Sequence, residues 1–223
     1  MPVVIAIVTL VVVLIIWRVW ASGVVAKRAE FIRSYSLPPG LYEKLRKKYP
    51  QLSLKDCQLI GQGLRQFFLA YLKSGRQFVS MPSQGVDDLW HEFILYTRHY
   101  DQFCQQAFGR FLHHTPAVVL TEDHQNNTGL RRVWWYVCRE ENIDPKHPTR
   151  LPLLFAIDKK LAIAGGFIYA ANCAELQGKA EAGMTIHCGT DFGSGGGDGS
   201  SDGFGDSSSD GGDGGGGCGG GGD

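Results

Sequence analysis

Residues 81–116, MPSQGVDDLWHEFILYTRHYDQFCQQAFGRFLHHTP, constrain the fold of this 223-residue chain more than any other stretch. Ser83 after Pro82 offers an N-cap, and Asp87 and Asp88 suit the positive end of a helix. Gly109 supplies a stop that Pro116 enforces. Between these signals the spacing predicts one helix of roughly 22 residues. At about 100° per residue, Leu89, Trp90, Phe93, Tyr96, Thr97, Tyr100, Phe103, Cys104, Ala107 and Phe108 share one arc. Asp87, His91, Arg98, Asp101 and Gln105 lie opposite. One side is built for a core, and the other is polar.

The polar side holds the chemistry. Asp87 and His91 are one helical turn apart, so their side chains can touch. His113 and His114 follow Gly109, and a reversal there brings one of them back to His91. Neutral imidazoles with a carboxylate suit zinc and similar divalent transition metals, and three ligands leave an open position. The metal expectation is therefore Asp87, His91 and His113 or His114, with Asp87 either a ligand or the acid that orients the His91 ring. The bland alternative is a polar helix face on which Asp87 pairs with His91 or caps the helix. Cys173, His187 and Cys188 form a second, weaker constellation. Cys104 falls on the aromatic arc, where burial raises a thiol pKa and disfavours nucleophilic catalysis.

Several of these residues form a pattern. Val86-Asp87, Trp90-His91, Tyr100, Phe103-Cys104, Phe108-Gly109 and His113-His114 together resemble the bacterial glycine-rich domain-containing proteins. The stretch is similar, more distantly, to the plant glycine-rich domain proteins. Trp90-His91, Tyr100, Cys104 and Gly109 match the plant pattern, whereas Phe93 replaces its second His and Phe103 the acid before Cys. The resemblance covers residues 82–116 well and the later segments loosely. It implies a family label and no activity.

Residues 2–17 are nearly unbroken Val, Ile and Leu, and counting on to Ala21 gives about the 20 residues that a bilayer-spanning helix needs. Trp17 and Trp20 suit the interface, and Arg18 can snorkel. A cleaved signal is the alternative, because Val19 and Ala21 fit a small-residue cleavage site; no Lys or Arg precedes the apolar run, which opposes it. Net charge is zero, but residues 18–76 carry 12 Lys/Arg against 3 Asp/Glu. The positive-inside rule then places the N-terminus outside and the rest in the cytoplasm of an inner or plasma membrane, where thiols stay reduced. Membrane lipids are the expected partner, through the N-terminal helix and the basic stalk after it.

Leu37-Pro38-Pro39-Gly40 marks a boundary. Helices are expected over residues 41–48, from the Ser53 cap to Ser74-Gly75, over 130–141 and over 151–161, with a loop or broken helix at 117–127. Residues 162–172 carry the only hairpin pattern, turning at Gly165-Gly166. Residues 189–223 hold 18 Gly and 7 Asp in 35 positions, too little apolar area to offset the entropy of ordering. Those Asp lack calcium-loop spacing.

The expected fold is mainly α: a transmembrane anchor (1–21), a basic juxtamembrane stalk (22–37), a small helical domain with a short C-terminal β-hairpin (38–188) and a disordered Gly-rich tail (189–223). The composition disfavours nucleic acid, since the basic region lies beside the membrane and no stacking platform is evident. No phosphate-binding glycine loop is present. A membrane-anchored structural or interaction module is the leading functional expectation. A metal-dependent hydrolytic enzyme built on His91 is the alternative.

Overall fold

The computed structural model describes residues 1–38, 40–114, 128–172 and 186–193. Its first element, α1 (Pro2–Ser34), is a single helix. The apolar half buries nothing against protein, yet Ala29 and Ile32 further along are buried. There Phe31 and Tyr35 stack on Phe103, with ring centroids 5.8 and 4.7 Å apart. The basic segment after the apolar run is thus docked on the domain, with Ala29 and Ile32 as its buried anchors.

Three helices fix the centre. α2 (Leu41–Lys48) precedes α3 (Leu54–Lys73), which opens on a capping box: Asp56 N–H donates to Ser53 Oγ (3.2 Å) and Ser53 N–H to Asp56 Oδ2 (2.9 Å). Its apolar face, led by Cys57, Ile60, Leu64, Phe67 and Phe68, is fully buried. Gly63 permits the closest crossing, because a Cβ there would lie 2.6 Å from Ile157 and 3.0 Å from Val86. α3 packs against α1, α2 and three later helices and is the axis of the domain.

The expected 22-residue helix is broken. It comprises α4 (Gln84–Leu95) and α5 (Thr97–Phe108), joined at Tyr96, whose ψ of 52° ends one helix while its N–H bonds to Phe93 O. The bend wraps the aromatic arc around α3: Trp90 meets Phe67 and Phe68, and Phe103 meets Phe68 at 5.0 Å. A straight helix could not keep both ends of that arc on one neighbour. Because the arc stays intact across the bend, hydrophobic periodicity carries no trace of it.

α6 (Thr128–Glu140) and α7 (Leu153–Lys160) complete the bundle. The expected hairpin is not formed. Ile163 O accepts from Gly166 N in a tight turn, but the next amide, Phe167, donates to Asp158 Oδ2 instead of a facing strand. β1 (Ile168–Ala170) then pairs in parallel with β2 (Ile186–Cys188), a partner reached by a longer connection. α8 (Gly189–Gly193) follows, with Phe192 buried beside Trp134 and Phe155. The loop expected at 117–127 and most of the Gly-rich tail lie outside the described residues.

Candidate metal centre

Buried Asp158 positions α4 from outside it. Its carboxylate accepts from Ser83 Oγ (2.6 Å), Gln84 N (2.7 Å), Gly85 N (3.1 Å) and Phe167 N (2.9 Å). An anion at a helix N-terminus satisfies amides that have no intrahelical partner. The clasp therefore fixes the first turn of α4, one turn before Asp87. Nothing in the local sequence points to this role for Asp158, since its partners on α4 lie more than 70 positions upstream.

The other half of the centre is returned to α4 by the chain after α5. Gly109 adopts φ 73° and its N–H bonds to Cys104 O and Gln105 O, a left-handed helix stop. Tyr100 Oη then donates to Leu112 O (2.6 Å) and accepts from Trp90 Nε1 (3.1 Å). This Trp90–Tyr100–Leu112 relay pins residues 110–114 across α4. Burial pushes the Tyr100 hydroxyl far above the ordinary phenol range, so it remains a proton donor. The aromatic motif is the scaffold that delivers His114.

His114 Nε2 stands 2.8 Å from Asp87 Oδ1, a hydrogen bond in the Nε2-protonated tautomer. His91 Nδ1 lies 3.4 Å from Asp87 Oδ2, as the i,i+4 spacing predicts. The two imidazole rings are 4.1 Å apart, and Trp90 packs its ring 4.5 Å from that of His114. One donor atom from each of Asp87, His91 and His114 falls within 4.8 Å of the others, so the three could hold a metal ion. Asp87 and His114 are sheltered, whereas the His91 side chain is 50% exposed. The cluster is open on one side.

His113 does not join it. That residue is exposed and stacks on Phe111 at 4.9 Å, because adjacent residues in an extended segment point in opposite directions. Arg98 and Asp101 leave the stripe as well, since they belong to α5 beyond the bend. Of the second constellation, Cys173 lies outside the described residues, and Cys188 is disulfide-bonded and so cannot serve as a thiolate ligand. This also corrects the expectation that all thiols are reduced. Cys57, Cys104 and Cys138 are free and buried. Burial raises all three thiols, Cys138 to about 12, and such groups are inert.

A mainly helical domain on a long apolar helix, with one three-residue His/Asp cluster among the described residues, defines the class of protein. The chain belongs to the UCP032817-like family, whose model matches residues 27–192. That match corrects the resemblance to glycine-rich domain proteins: the shared aromatic and His pattern is the packing and chain-reversal apparatus of this fold. No curated protein and no solved structure matches the chain.

Proposed function

We propose that the chain is a membrane-anchored module that holds one divalent transition metal at Asp87, His91 and His114. The observation that carries this reading is the meeting of three donor atoms, two from α4 and one brought back past Gly109. Two imidazoles and a carboxylate suit zinc and its neighbours better than calcium or magnesium, which prefer all-oxygen shells. Ligation through His114 Nε2 would require the Nδ1-protonated tautomer, so an ion bound there would take the place of the His114–Asp87 hydrogen bond. The favoured role is structural or interactive. A metal-dependent hydrolytic enzyme is the second reading, supported by the exposure of His91, which leaves a coordination position open to solvent.

Zinc stoichiometry of the purified full chain tests the site. Near one zinc per chain is expected, lost in His91→Ala and in His114→Ala and kept in His113→Ala. A metal-free wild type, or metal insensitive to His91 and His114, would refute it.

The same reading has α1 crossing the membrane with its N-terminus outside and the domain in the cytoplasm, in contact with lipid through the apolar and basic parts of the helix. The basic residues after the apolar run support this orientation. The disulfide at Cys188 favours the opposite face, because such bonds persist in oxidising compartments. A reporter fused after Asp223 decides between them: activity as a cytoplasmic fusion is expected, and periplasmic or extracellular activity would reverse the assignment. A soluble chain beginning at Ser22 would replace the anchor with a cleaved signal.

A further inference from the structure

The docked half of α1 fixes which face of the domain looks toward the bilayer. Arg28 lies roughly 10 Å beyond Ala21 along the axis, at 1.5 Å per residue. Its Nη1 donates to Phe108 O at 2.7 Å, and Arg76 Nη1 donates to the same oxygen at 2.8 Å. Arg110 donates to Tyr71 Oη at 3.0 Å and to Arg76 O. Three guanidiniums from three distant parts of the chain therefore gather at the C-terminal end of α5. Among the described residues their partners are backbone carbonyls and a phenol, with no carboxylate. The nearby acids are engaged elsewhere: Glu140 by Arg33 and Lys73, and Glu30 by Arg33.

A capping role alone does not account for the charge. The C-terminus of a helix carries about half a negative charge, against three full positive ones here. Each guanidinium has five donors and uses one or two, leaving N–H groups for an outside acceptor. Arg76 also holds φ 65°, a left-handed conformation ordinarily left to Gly or Asn, directly after Gly75 at φ 74°. Its amide closes the helix by bonding to Tyr71 O, and its side chain is thereby aimed along the α5 terminus. Exposed Phe78 and Phe111 flank Arg76 and Arg110 in sequence.

We propose that Arg28, Arg76 and Arg110 form a membrane-facing platform that binds the headgroups of anionic phospholipids. The proposal rests on α1 being a membrane span. The three positive charges attract anionic headgroups, and Arg28 stands little more than one decay length of the surface potential, about 8 Å at physiological salt, beyond the apolar run. Arg28 comes from the basic segment itself, but Arg76 and Arg110 come from the domain, so the fold extends the lipid contact beyond the helix.

The test uses the full chain in phosphatidylcholine nanodiscs doped with spin-labelled phosphatidylglycerol or spin-labelled phosphatidylcholine, reading the fraction of label immobilised. The wild type should prefer phosphatidylglycerol, and the preference should collapse in 1 M salt. Arg76→Gln/Arg110→Gln should lower it several-fold, up to about five-fold per charge. Arg76→Lys/Arg110→Lys should retain most of it, as should Lys159→Gln/Lys160→Gln on α7. No wild-type preference, a preference unaffected by salt, equal loss in the α7 pair, or loss in the lysine pair would each overturn the platform. Failure of the chain to enter nanodiscs at all would overturn the span, and the platform with it, and is separately visible as a lack of co-elution.

Discussion

The two halves of α1 differ in a way that their composition does not foretell. Residues 2–20 are almost all apolar and expose those side chains, whereas the polar half buries Ala29 and Ile32 in the core. In water the first half would be far from equilibrium, since apolar area left in solvent costs about 25 cal/mol per Å². Lipid removes that cost, and only a helix satisfies every backbone group there. The second half obeys the ordinary rule for a soluble bundle, in which a few interdigitated contacts decide position. The first half is thus long and apolar enough to cross a membrane, whereas packing decides the partner of the second.

Two tryptophans give the largest contrast. Trp17 is 58% exposed on the apolar half, and Trp90 is 3% exposed between Phe67, Phe68 and His114. Trp90→Ala should cost roughly 3–5 kcal/mol, a large share of a stability of about 5–15 kcal/mol, and should release His114 along with the Tyr100 relay. Trp17→Ala should leave domain unfolding in detergent unchanged. Chemical denaturation of the two variants measures both, and a stable Trp90→Ala would break the contrast.

Within α1 itself, Ile16 and Ile32 provide the same comparison at constant chemistry. Ile32→Ala removes a fully buried side chain and should destabilise the domain by about 2–4 kcal/mol. Ile16→Ala should act on membrane insertion alone. Equal effects of the two on denaturation would mean that the domain does not hold the second half.

Gly109 links that half to the candidate metal site. Its φ of 73° strains any L side chain, by roughly 1–2 kcal/mol, and a Cβ would stand 2.7 Å from Arg28 Nη2. Gly109→Ala should therefore loosen α1 from α5 and disturb the reversal that carries His114. A loss of about 1–2 kcal/mol with weakened zinc binding is expected. Unchanged zinc binding would separate the reversal from the site.

Much of this was legible locally. The Ser53 cap, the i,i+4 pair Asp87–His91 and the stop at Gly109 all act within a few residues, so sequence spacing states them directly. His114 against His113 was not decided, because the choice depends on where Tyr100 ties Leu112. The bend at Tyr96 was hidden by an aromatic arc that continues through it. The docking of Ala29 and Ile32 was masked by surrounding basic residues, and the parallel pairing of Ile168–Ala170 by its distant partner. Apart from the local bend at Tyr96, what could not be read was a contact between residues separated in the chain.

The smallest expected effect tests the electrostatic part of the clasp on α1. Glu140 of α6 accepts from Arg33 Nε (3.0 Å) and Nη2 (2.7 Å) and from Lys73. Burial alone would raise its pKa, but the hydrogen bonds from Lys73 and Arg33 outweigh it and hold the carboxyl below the ordinary glutamate value. A carboxylate whose folded pKa is depressed contributes stability above its unfolded pKa, and that contribution disappears as pH falls through the folded one. All three side chains are partly exposed, so screening should limit the effect to less than about 1 kcal/mol. Denaturation of wild type and Glu140→Gln should accordingly differ slightly at neutral pH and converge in acid below the glutamate range. A difference that persists in acid would assign the contact to packing of the side-chain stems. No difference at neutral pH would leave the attachment of the polar half to its packing, through Ala29, Ile32 and Phe31, and to the Arg28 hydrogen bond.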